Sequence, residues 1–255
     1  MGIRRFIPGG RPQYWRMAVV IWVFAGGGES EVRGLIPFLE KHFPGCQFER
    51  KTPVRHKPGG KPNKVHSYGK TGKSLMEQIK LELPIHLKYN SHKCDLILVF
   101  DNLDCRNPTE EREKFLAAIA TIPESIDIEK FVGFAAPELE AWIIADWINS
   151  VGKHPKFKGR QEGMRHWLST EKKVPFDNPE SFSEYDTEKD CCGEKLSQAL
   201  VDSSVIPKFN LASEPFSKGS HTPEILLDID PVIVKSKCPL FREMYNYLHD
   251  FCHTS

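Results

Sequence analysis

The stretch Asp95-Leu-Ile-Leu-Val-Phe100-Asp101-Asn-Leu-Asp104 decides the fold: five consecutive apolar residues that stop abruptly on carboxylates. A run this short does not make a free-standing helix and suits a strand buried on both faces, as strands of parallel sheets are. Open α/β sheets bind their ligands outside the carboxyl ends of the strands, so Asp101 and Asp104 are expected to project at a working edge. Two carboxylates roughly 4 Å apart repel by roughly 4 kcal/mol at an effective dielectric near 20, and a bound cation relieves that repulsion.

Upstream, Val19 to Phe24 reads as a first core strand that feeds Gly26-Gly-Gly28, after which Glu29-Ser30-Glu31 opens an amphipathic helix. A short strand spans Phe48 to Lys51. Helices over Ser74 to Leu87 and Thr109 to Ile119 bracket the acid-tipped strand. Phe131 to Phe134 gives a fourth strand, and Pro137 to Asp146 a helix with Pro in its first turn. Alternation of this kind predicts an α/β fold with a mainly parallel sheet sandwiched by helices. Past Trp147 the pattern turns to polar segments and short helices, closed by one well-patterned helix over Pro231 to Phe251. The expected organisation is a loose leader over 1–16, an α/β core over 17–149, and a mostly helical extension over 150–255 that packs on the core.

The chain has 255 residues, enough for one substantial core with an elaboration. Its 35 Lys and Arg against 34 Asp and Glu leave net charge silent about a nucleic-acid partner. The apolar run Ala18 to Ala25 is short and leads into a glycine turn, so it reads as a strand rather than a signal peptide, and no membrane partner is expected. Seven cysteines without a Cys-x-x-Cys pair argue against a disulfide framework or a thiolate zinc site, and for core or incidental thiols in a reducing cytoplasm.

Acids recur after three strands: Glu29 after the first, Asp101 and Asp104 after the third, Glu138 and Glu140 after the fourth. If the strands are parallel, these turns share one edge of the sheet. Any one of these acids alone suits a helix amino terminus, but together their hard oxygens suit Mg²⁺ or Mn²⁺ and imply metal-assisted phosphoryl chemistry. Four-residue spacing puts Glu138, Trp142 and Asp146 on one helical face, with Glu140 pointing elsewhere and Trp142 in the core. The segment from Pro53 to Lys73 is rich in Gly and basic residues, and Arg55, Lys57, Lys61, Lys64, Lys70 and Lys73 are candidates for nucleic-acid phosphates. Gly69-Lys-Thr-Gly-Lys73-Ser74 partly matches a phosphate loop, the basis of a nucleotide-binding alternative, but Ser67 stands where the first Gly belongs.

Phe24-Ala-Gly-Gly-Gly-Glu-Ser30, Asp101-Asn-Leu-Asp-Cys-Arg106, Pro137-Glu-Leu-Glu-Ala-Trp-Ile-Ile-Ala-Asp146 and Cys238-Pro-Leu-Phe-Arg242 resemble an uncharacterised bacterial Toprim-like family. That family is related to the nuclease domain of the OLD (overcoming lysogenization defect) proteins and is associated with phage defence. The resemblance implies a Mg²⁺-dependent endonuclease acting on DNA or RNA, with Asp101 and Asp104 as the metal-binding pair and Glu138 as a further acid; Glu140 joins them as a metal candidate from its place after the fourth strand. The resemblance makes Glu29 and Lys218 the catalytic candidates and an ATPase a possible partner; a second copy of the chain is a further possible partner. Members place a glutamate directly before the glycines, where this chain has Ala25. The alternative is therefore a catalytically weak or inactive subunit that binds nucleic acid or an ATPase.

Overall fold

A computed structural model of the protein describes residues 18–26, 28–52, 73–90, 94–206 and 214–254. Four parallel strands, β1 (Val19–Ala25), β2 (Cys46–Thr52), β3 (Leu96–Asn102) and β4 (Glu129–Ala135), lie in the order β2-β1-β3-β4. All seven residues of β3 are buried, because this central strand has helices on both faces. Alternation sends Leu96, Leu98 and Phe100 into one core with Ile21 and Val23, and Ile97 and Val99 into the other with Trp22 and Phe24.

The second of these cores is closed by α2 (Lys73–Asn90) and α3 (Pro108–Ala120), through Leu75, Ile79, Leu83, Phe115 and Ile119. Helix α3 starts where the Asn107 side chain accepts the Thr109 and Glu110 N–H groups, with Pro108 at the first position. The other core joins α1 (Glu29–His42) to α4 (Glu140–Ala145), α5 (Gln161–Thr170), α6 (Leu196–Ser204) and α7 (Lys218–Leu226). It continues into α8 (Pro231–Lys237) and α9 (Pro239–Thr254), so the helical carboxyl-terminal region is seated on one face of the α/β sandwich. Helices α1 and α7 approach closely at Gly34, where a Cβ would lie 2.7 Å from Leu226 Cδ1 and 3.0 Å from Pro223 Cα. A minor antiparallel pair, β5 (Tyr185–Asp186) and β6 (Cys191–Cys192), stands apart from the main sheet. Among the described residues no helix is long and apolar enough to cross a membrane.

Three expectations are corrected. The single helix over Pro231 to Phe251 is two, because Pro239 forces Cys238 into an extended conformation (φ −120°, ψ 95°) that ends α8. Helix α4 begins at Glu140 and not at Pro137, which leaves Glu138 in the preceding turn, so Glu138 shares no helical face with Trp142. Asp146 stands at the end of α4 and accepts the Asp230 N–H at 2.7 Å, a structural role. The cysteines hold two disulfides, Cys46–Cys252 and Cys105–Cys192, so their odd number no longer favours a reducing compartment. Cys94 and Cys238 remain buried thiols, and burial pushes Cys94 up to about 12.

Glu180 fastens α9 to the molecule by accepting the Leu240 and Phe241 N–H groups at 2.9 and 3.1 Å. Burial outweighs these two bonds and raises its carboxyl from 4.5 to about 7. A carboxyl raised on folding stabilises fully below its unfolded value, and that contribution is lost as pH rises through the folded one. Glu180→Gln cannot ionise. Between pH 5 and 8.5 the wild type should therefore lose on the order of 2 to 3 kcal/mol relative to this variant. Urea denaturation at both pH values measures this, and equal losses in the two proteins would contradict it.

Candidate functional site

Parallel pairing puts the turns after β1, β3 and β4 on one edge of the sheet. Ala25 pairs with Phe100, and the Gly26 N–H donates to the Phe100 carbonyl at 2.8 Å, which starts the glycine turn beside Asp101. Strand β3 runs two residues past the apolar stretch, with Asp101 and Asn102 paired to Phe134 and Ala135. Asp101 and Asp104 are consequently only 2% and 8% exposed, where the sequence suggested projecting groups. Asp101 Oδ1 accepts the Asn102 N–H at 3.0 Å and lies so close above Gly26 that a Cβ there would sit 2.1 Å from it.

Two bonds lock the turn after β3 against the turn after β4. Asn102 Oδ1 accepts the Leu139 N–H at 3.0 Å, and the Asp104 N–H donates to the Pro137 carbonyl at 3.0 Å. The segments carrying the Asp and Glu pairs are thereby neighbours. Asp104 and Cys105 both take left-handed backbone conformations, φ 49° and 62°, at a cost of about 1 to 2 kcal/mol each for residues with a Cβ. Their surroundings hold them there. The Cys105–Cys192 bond ties the loop to β6, Arg106 Nη1 stands 3.6 Å from Asp104 Oδ2, and Arg106 Nη2 donates to the Asp190 carbonyl at 2.6 Å. A cleft of about 320 Å³ opens alongside, lined in part by Arg106, Pro137, Glu180, Ser183 and Leu240.

The acids after β4 meet a cation from far along the chain. Lys218 Nζ lies 3.4 Å from Glu138 Oε1 and 3.1 Å from Glu140 Oε2. Glu138 also accepts the Ser197 N–H and hydroxyl, each at 3.0 Å, and Glu140 accepts the Thr222 hydroxyl at 2.9 Å. The expectation that Glu140 points away from Glu138 is thus corrected, because helical spacing does not apply across a turn that becomes helical only at Glu140. Ser197, Thr222 and Gly26 were missed as site residues. Nothing marks the first two in sequence, since they lie 59 and 82 residues from the carboxylates they hold. Trp142 is wholly buried against Phe100 and Phe241, as a core residue.

Glu29 opens α1 at this edge, but its side chain lies outside the described residues. Arg55, Lys57, Lys61, Lys64 and Lys70 lie outside them entirely, and of Lys73 only the backbone is described, at the start of α2. Among the described residues, no three His, Cys, Asp or Glu side chains gather into a ready-made ion cage. The donor chemistry nonetheless divides sensibly. Asp101 and Asp104, which face the Asn102 N–H and Arg106 respectively, are hard oxygen donors of the kind Mg²⁺ and Mn²⁺ take, and Glu138 and Glu140 engage Lys218, Ser197 and Thr222. Comparison with protein-family models, with curated proteins and with solved structures gives no significant match.

Proposed function

We propose that the protein is a Mg²⁺- or Mn²⁺-dependent nuclease that hydrolyses phosphodiesters of DNA or RNA. The observation that carries this reading is the placement of Asp101 and Asp104 after β3 and of Glu138 and Glu140 after β4 on adjoining turns at the carboxyl edge of one parallel sheet, where Lys218 pairs with the two glutamates. Asp101 and Asp104 would hold the ion, and the chemistry it would supply there is polarisation of the phosphodiester and activation of water. Glu138 and Glu140 orient the Lys218 ammonium as the fixed positive charge of the site, and Glu29 serves as acid or base. Arg55, Lys57, Lys61, Lys64, Lys70 and Lys73 engage the phosphate backbone. A role in phage defence is what the Toprim-like resemblance alone implies.

Two observations favour the second reading, a weak or inactive subunit that binds nucleic acid or an ATPase. Glu138 and Glu140 are occupied by Lys218, and Ala25 stands where relatives place a glutamate. Purified protein incubated with plasmid, single-stranded DNA and RNA separates the two. The nuclease reading expects cleavage with Mg²⁺ or Mn²⁺ that EDTA stops and Asp101→Ala abolishes. No cleavage with any substrate or metal, with or without an ATPase partner, discards it. The binding reading expects affinity that survives Asp101→Ala and falls when Lys57, Lys61, Lys64 and Lys70 are replaced together.

A further inference from the structure

Helix α7, which delivers Lys218, is fixed at its first turn by a histidine. Its N-cap residue Ser217 donates its backbone N–H to His221 Nδ1 at 2.8 Å, while the His221 N–H returns to the Ser217 carbonyl at 2.8 Å. Lys218 is the next residue after Ser217, so whatever moves this turn moves the ammonium. Accepting at Nδ1 uses that nitrogen's lone pair, which makes His221 a neutral imidazole with its proton on Nε2. The same tautomer leaves no lone pair for a metal.

His221 is fully buried, with the rings of Phe157, Phe216 and His154 at centroid distances of 5.2, 5.7 and 5.7 Å. Glu214 Oε1 stands 3.6 Å from its Nε2, and among the described residues Lys156, Glu224 and His154 are the other charged and titratable groups that face it. Lys156 is itself paired with Glu214 at 3.0 Å, and His154 meets Glu224 at 3.4 Å.

We propose that His221 is a positioning residue: as a neutral acceptor it sets the first turn of α7 and so holds Lys218 between Glu138 and Glu140. The inference deepens the proposed nuclease reading and rests on it for its consequence in catalysis. Protonating Nδ1 would set two donors face to face, and the turn would have to open. Burial, then the charge of Lys156, lowers the His221 pKa from its ordinary 6.5. For a histidine depressed on folding, the stabilisation is complete above the unfolded value near 6.5 and is lost as pH falls through the folded one. Acidification is therefore the condition that releases Lys218.

The test compares wild type with His221→Asn and His221→Ala. The Asn side-chain oxygen takes the place of Nδ1 and accepts the Ser217 N–H, but it does not titrate; Ala offers no acceptor. NMR of protein carrying carbon-labelled lysine, with Lys218 assigned through Lys218→Arg, follows the ammonium from pH 8 downward through the midpoint of the His221 ring. The wild-type Lys218 signal should move with the midpoint of the His221 ring, lose that inflection in the Asn variant, and be displaced at every pH in the Ala variant. A Lys218 signal indifferent to the His221 titration, or an Asn variant that behaves like the Ala variant, overturns the inference. In the cleavage assay, His221→Ala should lose about tenfold or more at neutral pH, while His221→Asn keeps most activity and loses the acid limb of the pH profile. Coupled NMR titrations without cleavage in any variant would discard the nuclease reading and leave the positioning role standing. Cleavage with uncoupled titrations would do the reverse.

Discussion

Lys218→Met is expected to destabilise the protein by about 3 kcal/mol, the lower end of the cost of stripping a buried charge of its partner. Glu140 is 0% and Glu138 6% exposed at the side chain, so neither carboxylate can recover its lost partner from bulk water. Ser197 and Thr222 would remain, but hydroxyls cannot offset two carboxylates held together away from solvent. Lys218 is itself 29% exposed at the side chain, and partial solvation of the ammonium holds the loss at this lower end. For a chain of this size the loss corresponds to about 6 to 10 °C in Tm. Lys218→Met combined with Glu138→Gln and Glu140→Gln should recover most of it, since a neutral set has no charge to strand. Urea and thermal unfolding of the single and triple variants measure both numbers. A single variant within about 1 kcal/mol of wild type, or a triple variant no more stable than the single, would show that the cluster is not a coupled ion pair.

Gly26→Ala should separate activity from stability. The added Cβ would fall 2.1 Å from Asp101 Oδ1, 2.9 Å from Asp101 Cγ and 3.3 Å from Leu75 Cδ2. A short carboxylate can rotate away from such a clash, while β1, β3 and their pairing need not change. The stability cost should therefore stay in the ordinary range of about 1 to 3 kcal/mol. On the proposed reading Asp101 ligates the ion, so displacing its carboxylate by about 1 Å should lower cleavage about a hundredfold. Mn²⁺ affinity, read by calorimetry, should fall with it while the circular dichroism spectrum stays native. Unchanged affinity and cleavage would mean that Asp101 is not a ligand and that its closeness to the glycine turn is only packing.

These two variants probe parts of the site that differ in how far the sequence announced them. Strands β1 and β3 were legible because a continuous apolar run bounded by Gly, Pro or acids has few alternatives to a buried strand. Once the strands are parallel, their carboxyl ends share an edge, so the acids after β1, β3 and β4 could be assigned to one place from the chain alone. Boundaries were less secure. The run ending at Phe100 gave no sign that β3 continues through Asp101 and Asn102, because pairing with β4, rather than hydropathy, extends it. Pro137 suggested a helix start, but α4 begins three residues later, and that shift brings Glu138 and Glu140 to the same ammonium.

By itself the sequence determined the α/β class, the parallel sheet and the set of acids at its edge, since burial periodicity and turn chemistry are local properties of the chain. Only the tertiary structure decided which groups meet those acids. Lys218 reaches Glu138 across 80 residues, and the disulfides Cys46–Cys252 and Cys105–Cys192 close separations of 206 and 87. The neutral tautomer of His221 is likewise set by where α7 begins and by the aromatic rings that bury it. Contacts between segments this distant follow from how α7 packs on α1 and how the loop after β3 meets β6, and no local pattern of residue types encodes that packing.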